Sequence, residues 1–174
     1  ERDIMASKQT RYEALVKALH GDLYRYAFWL VHDKHIAEDL VQETFLRAWK
    51  ALDSLKDEKA AKSWLITILR RENARRFERK QFDMSEYDEP TIIDNISSTT
   101  EQEIENQWLR EKISKLDIDY REPLILQVVA GFSGEEIASL LGLNKNTVMT
   151  RLFRARNQLR DALTREERLN KGLA

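Results

Sequence analysis

Cysteine is absent from the 174 residues, which excludes disulfides, thiolate zinc sites, iron–sulfur clusters and thiol nucleophiles, and fits a reducing compartment. Proline occurs twice and glycine five times, too seldom to punctuate a sheet with turns. Long apolar runs are missing as well. Ala27 to Val31 and Leu124 to Ala130 fall far short of the roughly 20 residues that a membrane span needs. No signal-peptide pattern precedes Met5, so a soluble, cytoplasmic protein without membrane insertion is the expectation. Glycine-rich phosphate loops and Ser/His/Asp spacings are lacking too. An enzyme is therefore not expected, nor a cofactor, nor a small-molecule substrate. His32 and His35, with Asp33, Glu38 and Asp39 nearby, have no third convergent ligand, and read as surface residues rather than a metal site.

What the chain has is charge, 34% of its residues, beside an apolar fraction of 42% that suffices for a packed core. That balance favours helices throughout, and the fold class expected is all-α. The net charge of -1 averages three unlike segments. Met5 to Phe82 carries 16 bases against 11 acids, Asp83 to Gln107 carries 8 acids and no base, and Trp108 to Ala174 carries 12 bases against 9 acids. Two basic lobes are joined by an acidic strap, a pattern of function rather than of fold. With Pro90 and the run Ser97, Ser98, Thr99, Thr100, the strap reads as a linker with a domain boundary inside it; a solvated loop of one larger domain is the alternative.

Apolar residues recur at helical spacing on both sides. Tyr12, Leu15, Val16 and Leu19 form one face, and Leu23, Tyr26, Ala27 and Leu30 another after Gly21. A third helix runs from about Lys34 to Ala51, and a fourth from about Glu58 to Gln81 turns Trp64, Leu65, Ile68 and Leu69 inward. The second lobe suggests helices near 102–116, 120–130, 133–140 and 144–166. Trp29, Trp49, Trp64 and Trp108 read as core or interface anchors. Ser63, Thr67 and Thr44 are modification candidates by chemistry alone.

The most specific signal runs from Ser133 to Phe153. Ala138 is small where two helices must approach, Gly142 permits a left-handed turn, and Val148 packs the second helix on the first. This is a helix-turn-helix. Ile137, Leu140, Leu141, Leu143 and Leu152 fill its shared core, and Asn144 is placed to cap the second helix. Lys145, Asn146, Thr147, Thr150 and Arg151 are left on its exposed leading turns, side chains suited to base edges and phosphates in a major groove. Arg154, Arg156 and Arg160 extend the basic character, as phosphate ligands or as solvating charge.

With these residues in view, the chain resembles the extracytoplasmic-function sigma factors of bacterial RNA polymerase. Tyr120-Arg-Glu-Pro-Leu-Ile-Leu, Gly131-Phe-Ser-Gly-Glu-Glu-Ile-Ala and Asn146-Thr-Val-Met-Thr-Arg-Leu-Phe-Arg-Ala-Arg are similar to the family's region 4, which reads the minus-35 element. Ala37-Glu-Asp-Leu-Val-Gln-Glu-Thr-Phe-Leu-Arg-Ala-Trp49 resembles the helix that docks on the beta-prime clamp, and Ser63 to Lys80 resembles the segment that holds the minus-10 element. Where many relatives carry Arg-Asn followed by Asp, this chain has Arg70-Arg71-Glu72-Asn73 and then Arg75-Arg76.

The resemblance implies two small helical domains: a four-helix sigma region 2 at 8–82 and a region 4 helix-turn-helix at 103–168, joined by the acidic linker 83–102. It implies no catalysis of its own, but a factor that binds core polymerase through the clamp and the beta flap and directs it to promoter DNA. Glu38, Asp39, Gln42, Glu43 and Arg47 are the implied polymerase contacts. Lys62, Trp64, Arg70, Arg71, Asn73, Arg75, Arg76 and Arg79 are those to minus-10, with a loop from Asp53 to Lys62 that captures a flipped base. Lys145, Asn146, Thr147, Thr150, Arg151, Arg154 and Arg156 are those to minus-35. Control by an anti-sigma factor, a partner switch or phosphorylation stays open. Two rivals differ in class: a regulator whose helix-turn-helix is fused to a sensory domain, and a helical adaptor that binds only protein. Only a sigma factor would make core polymerase initiate.

Overall fold

The computed structural model describes residues 1–82 and 100–172. The acidic linker read at 83–102 lies outside them except for its last three residues, which form the cap and start of a helix. The described residues are helical, contain no strand, and gather into two compact units, one built mainly from the first three α-helices and the other from the last four.

In the first unit, α1 (Arg2–Val31), α2 (Lys34–Ala51) and α3 (Ala61–Phe82) pack together, with two short 3-10 turns, Leu52–Ser54 and Glu58–Ala60, between α2 and α3. Three long helices stand where the sequence suggested four. The break expected at Gly21 does not occur. A glycine inside a helix costs only about 1 kcal/mol relative to alanine, and Leu15, Leu19, Leu23 and Tyr26 continue one stripe at spacings of three and four through that position. Burial of Leu15, Leu23, Tyr26 and Ala27 on that stripe outweighs the local penalty. Asp33 caps α2, its carboxylate accepting from the Ile36 N–H at 3.0 Å.

Helix α2 buries Ala37, Leu40, Val41, Thr44, Phe45 and Ala48 against α3, which returns Ala61, Leu65, Ile66 and Leu69. Ile66 is fully buried, whereas Trp64 and Ile68, read as inward, are only half-buried. The Thr44 hydroxyl is fully buried and donates to the Leu40 carbonyl at 2.7 Å, so no modifying enzyme reaches it in the folded chain.

The second unit contains α4 (Glu101–Ser114), α5 (Ile118–Val128), α6 (Gly134–Leu141) and α7 (Lys145–Gly172). Thr100 and Ser133 start α4 and α6 with reciprocal caps: each hydroxyl accepts from the backbone of Glu103 or Glu136, whose carboxylate returns to the cap's own N–H. Ile125, Leu126, Ile137, Val148, Leu152 and Ala155 form the buried centre. Leu140, Leu141 and Leu143 are half-buried at its margin. Helix α7 runs past 166, where the sequence suggested an end, because Glu166 is tied to α4: it accepts from Trp108 Nε1 at 3.0 Å and pairs with Lys112.

Candidate nucleic-acid interface

Glycine at 142 shapes the turn that aims α7. Its φ of 65° ends α6, and a Cβ there would meet no atom within 4 Å, so the requirement is the left-handed backbone and not space. Asn144 then caps α7, its Oδ1 accepting from the Thr147 N–H at 2.8 Å. Burial of Val148, Leu152 and Ala155 fixes the rotation of the helix. Asn146, Thr147, Thr150, Arg151 and Arg154 consequently line one open cleft with Asn144, Tyr120 and Asp119. The positive end of the α7 dipole and two guanidinium groups give this cleft donors suited to phosphate and base edges.

Two residues assigned to this surface from sequence have other partners. Lys145 reaches back to Glu135 of α6 at 2.5 Å, and that hydrogen bond, with the lysine's charge, holds the exposed Glu135 carboxyl below its usual range. Arg156 is not among the cleft residues: it donates to Gln127 of α5. Tyr120 and Asp119 are cleft residues that sequence reading missed, although Tyr120 stood inside a matched motif. Asp119 faces Arg151 at 3.7 Å and tempers its charge.

On α3 of the first unit, Arg71, Arg75 and Arg79 are exposed along one stripe, as their spacing of four requires. Arg70 and Lys62 are half-buried, and Lys62 lies 3.7 Å from Asp22. Asn73 is buried, off the stripe, and accepts from Arg76 at 3.4 Å. Arg76 is half-buried beside the Phe77 ring; desolvation lowers its guanidinium's proton affinity, and the charge of Asp33 partly restores it. Trp64 packs against the cluster of Leu15, Leu52, Leu55 and Ala61. The chief missed residue is Glu72, 5% exposed, whose carboxylate pairs with Arg75 at 3.0 Å and with Arg47 of α2. Its spacing from Leu65 and Leu69 already pointed it inward.

The outer side of α2 presents Asp39 and Gln42 fully and Glu38 and Glu43 partly, with Leu46 exposed among them. Arg47 is committed within the fold, facing Glu43 at 3.2 Å and Glu72 as an ion pair rather than an aligned hydrogen bond. Among the described residues no group of three or more His, Asp or Glu is arranged to hold a metal, and no helix is long and apolar enough to cross a membrane.

Comparison with known proteins matches the Sigma-70 region 2 family to residues 15–82 and the Sigma-70 region 4 family to residues 106–159. The chain is 35% identical over 166 residues to the RNA polymerase sigma factor SigV of Bacillus subtilis, covering 94% of this chain and 99% of that one. Another relative, the ECF sigma factor EcfG of Rhodopseudomonas palustris, is 36% identical over 140 residues, covering 79% of this chain and 76% of its own. The chain belongs to the extracytoplasmic-function sigma factors. The sigma factor RpoE of Bartonella quintana, solved in complex with the anti-sigma factor NepR, superposes with a TM-score of 0.72 at 29% identity, covering 88% of this chain and 97% of that one.

The protein is thus a non-enzymatic initiation factor, an alternative sigma factor that binds core RNA polymerase and recognises promoters. Both rival classes fall away. The helical unit ahead of the helix-turn-helix is sigma region 2, not a sensory domain or an adaptor.

Proposed function

We propose a division of labour among named residues. Asn146, Thr147, Thr150, Arg151 and Arg154 read the minus-35 element from the major groove, and Lys145 and Arg156 take flanking phosphates after exchanging their present partners. On α3, Arg71, Arg75 and Arg79 track the opened minus-10 strand, supported by Lys62, Arg70 and Arg76, while Asn73 orients Arg76. The loop from Asp53 to Lys62, backed by Trp64, accepts an unstacked minus-10 base. Glu38, Asp39, Gln42 and Glu43 meet arginines of the beta-prime clamp, with Arg47 fixing their helix, and region 4 meets the beta flap. The working place is the cytoplasm, and an anti-sigma factor restrains the protein there, as the RpoE complex suggests by analogy.

The observation that carries this reading is the Asn144-capped helix whose exposed leading turns line a single cleft with polar and cationic side chains. Transcription reconstituted from core polymerase, this chain and genomic DNA tests it. Transcripts should start from a shared promoter class. Replacing Asn146 and Arg151 by alanine should lower holoenzyme binding to duplex promoter. Replacing Arg71, Arg75 and Arg79 should spare that binding and reduce opening. Loss of both functions with either set would refute the assignment.

A further inference from the structure

The segment between α2 and α3 has little regular structure of its own. Two buried leucines, Leu52 and Leu55, anchor it on Leu15 and Ala61, while Asp53, Ser54, Lys56, Asp57, Glu58 and Lys59 are exposed. A few short-range bonds stiffen it: Leu55 N–H to the Leu52 carbonyl at 3.1 Å, and Lys59 N–H to the Asp57 carboxylate at 3.0 Å. Leucine anchors resist withdrawal from the core but, being non-directional, do not by themselves orient the backbone between them. A directional constraint is needed to give such a loop one shape.

That constraint comes from α1. The Arg11 guanidinium donates through Nη2 to the Leu55 carbonyl at 2.5 Å and through Nη1 to the Leu52 carbonyl at 3.3 Å, and its Nε pairs with Glu58. One planar fork therefore holds the loop at both leucine anchors and at the start of its second 3-10 turn. Arg11 lies ahead of the residues matched by the region 2 family. We infer that Arg11 is a positioning residue for minus-10 recognition, clasping the loop in the shape that receives the unstacked base without touching DNA itself. This rests on the proposed role of the loop. A base pocket selects by shape and stacking, so a loop that samples several shapes loses discrimination before it loses its place in the fold.

The test uses holoenzyme, with a forked promoter fragment whose sequence comes from mapped transcription starts, and with fragments abasic at each minus-10 position of the non-template strand in turn. Wild-type holoenzyme should bind the intact fragment about tenfold tighter than one of the abasic fragments, the scale of one base stacked in a pocket. Arg11→Ala should cut that ratio to about twofold while leaving core affinity and duplex minus-35 binding within about twofold of wild type. Arg11→Lys keeps a cation beside Glu58 but lacks the fork, so it should fold like wild type and still lose most of the ratio. It carries the test if the alanine variant fails to fold. A full ratio retained in the folded variants overturns the role of Arg11. A wild type indifferent to every abasic position overturns instead the reading of the loop as a base pocket.

Discussion

Glu72 carries the most consequential buried charge of the first unit, because its carboxylate joins α2 to α3 through Arg47 and neutralises part of the basic stripe through Arg75. Removing a nearly buried acid from two cations leaves both without the partner that offsets their charge. Glu72→Ala should cost about 3 kcal/mol in urea unfolding, reduced toward 2 by the partial exposure of both arginines; a loss under about 1 kcal/mol would mean that water already screens the network. Lys145 poses the opposite case, since Glu135 holds it in an exposed pair that DNA would have to break under the proposed phosphate role. Glu135→Gln should leave the midpoint of unfolding unchanged and tighten duplex promoter binding by the holoenzyme about two- to fivefold at low salt. Unchanged affinity would remove Lys145 from the interface. These pairings explain why residue assignments read from sequence were uneven. Helical spacing already put Thr150, Arg151 and Arg154 on the side of α7 that lines the cleft, because burial of Val148 and Leu152 dictates the rotation of the helix. It could not reveal that Arg156 bonds Gln127, which depends on a neighbouring helix; Asn73, four residues beyond Leu69, had the spacing of an inward residue and was assigned to DNA by the resemblance instead.

Among the elements, α2 was fully legible, from Lys34 to Ala51, because its apolar residues recur on one face, which the fold buries. Helix α1 was not, because a glycine that breaks an isolated helix is tolerated where a continuous apolar stripe is buried. The α7 extension was hidden for a related reason: its anchor, Glu166, is a surface acid by sequence and finds Trp108 and Lys112 only in the folded unit. The hydrogen bond from Lys112, then that from Trp108, hold the Glu166 carboxyl below its ordinary value of 4.5. A depressed folded value makes this tie fully present above about 4.5, and lost as pH falls through the lower folded value. Amides in the last turns of α7 should thus lose hydrogen-exchange protection on acidification in the wild type. In Glu166→Gln they should already be weakly protected near neutrality. Equal protection in both proteins at neutral pH would show that the tie does not hold the helix end.

For the whole molecule, a net charge of -1 conceals two cationic modules, and the surfaces proposed to meet DNA lie on different helices, α7 and α3. Each offers few phosphate contacts, and the eight acids between Asp83 and Gln107 oppose DNA, so the free chain should bind promoters weakly and the holoenzyme tightly. The lack of cysteine allows a direct test of the two-surface claim. A single cysteine introduced as Thr150→Cys or as Arg79→Cys can carry a tethered DNA-cleaving reagent in otherwise unlabelled holoenzyme. On a mapped promoter, cleavage should centre on the minus-35 element from Thr150→Cys and on the minus-10 element from Arg79→Cys. Cleavage of one common element by both probes, or exchange of the two patterns, would contradict the account.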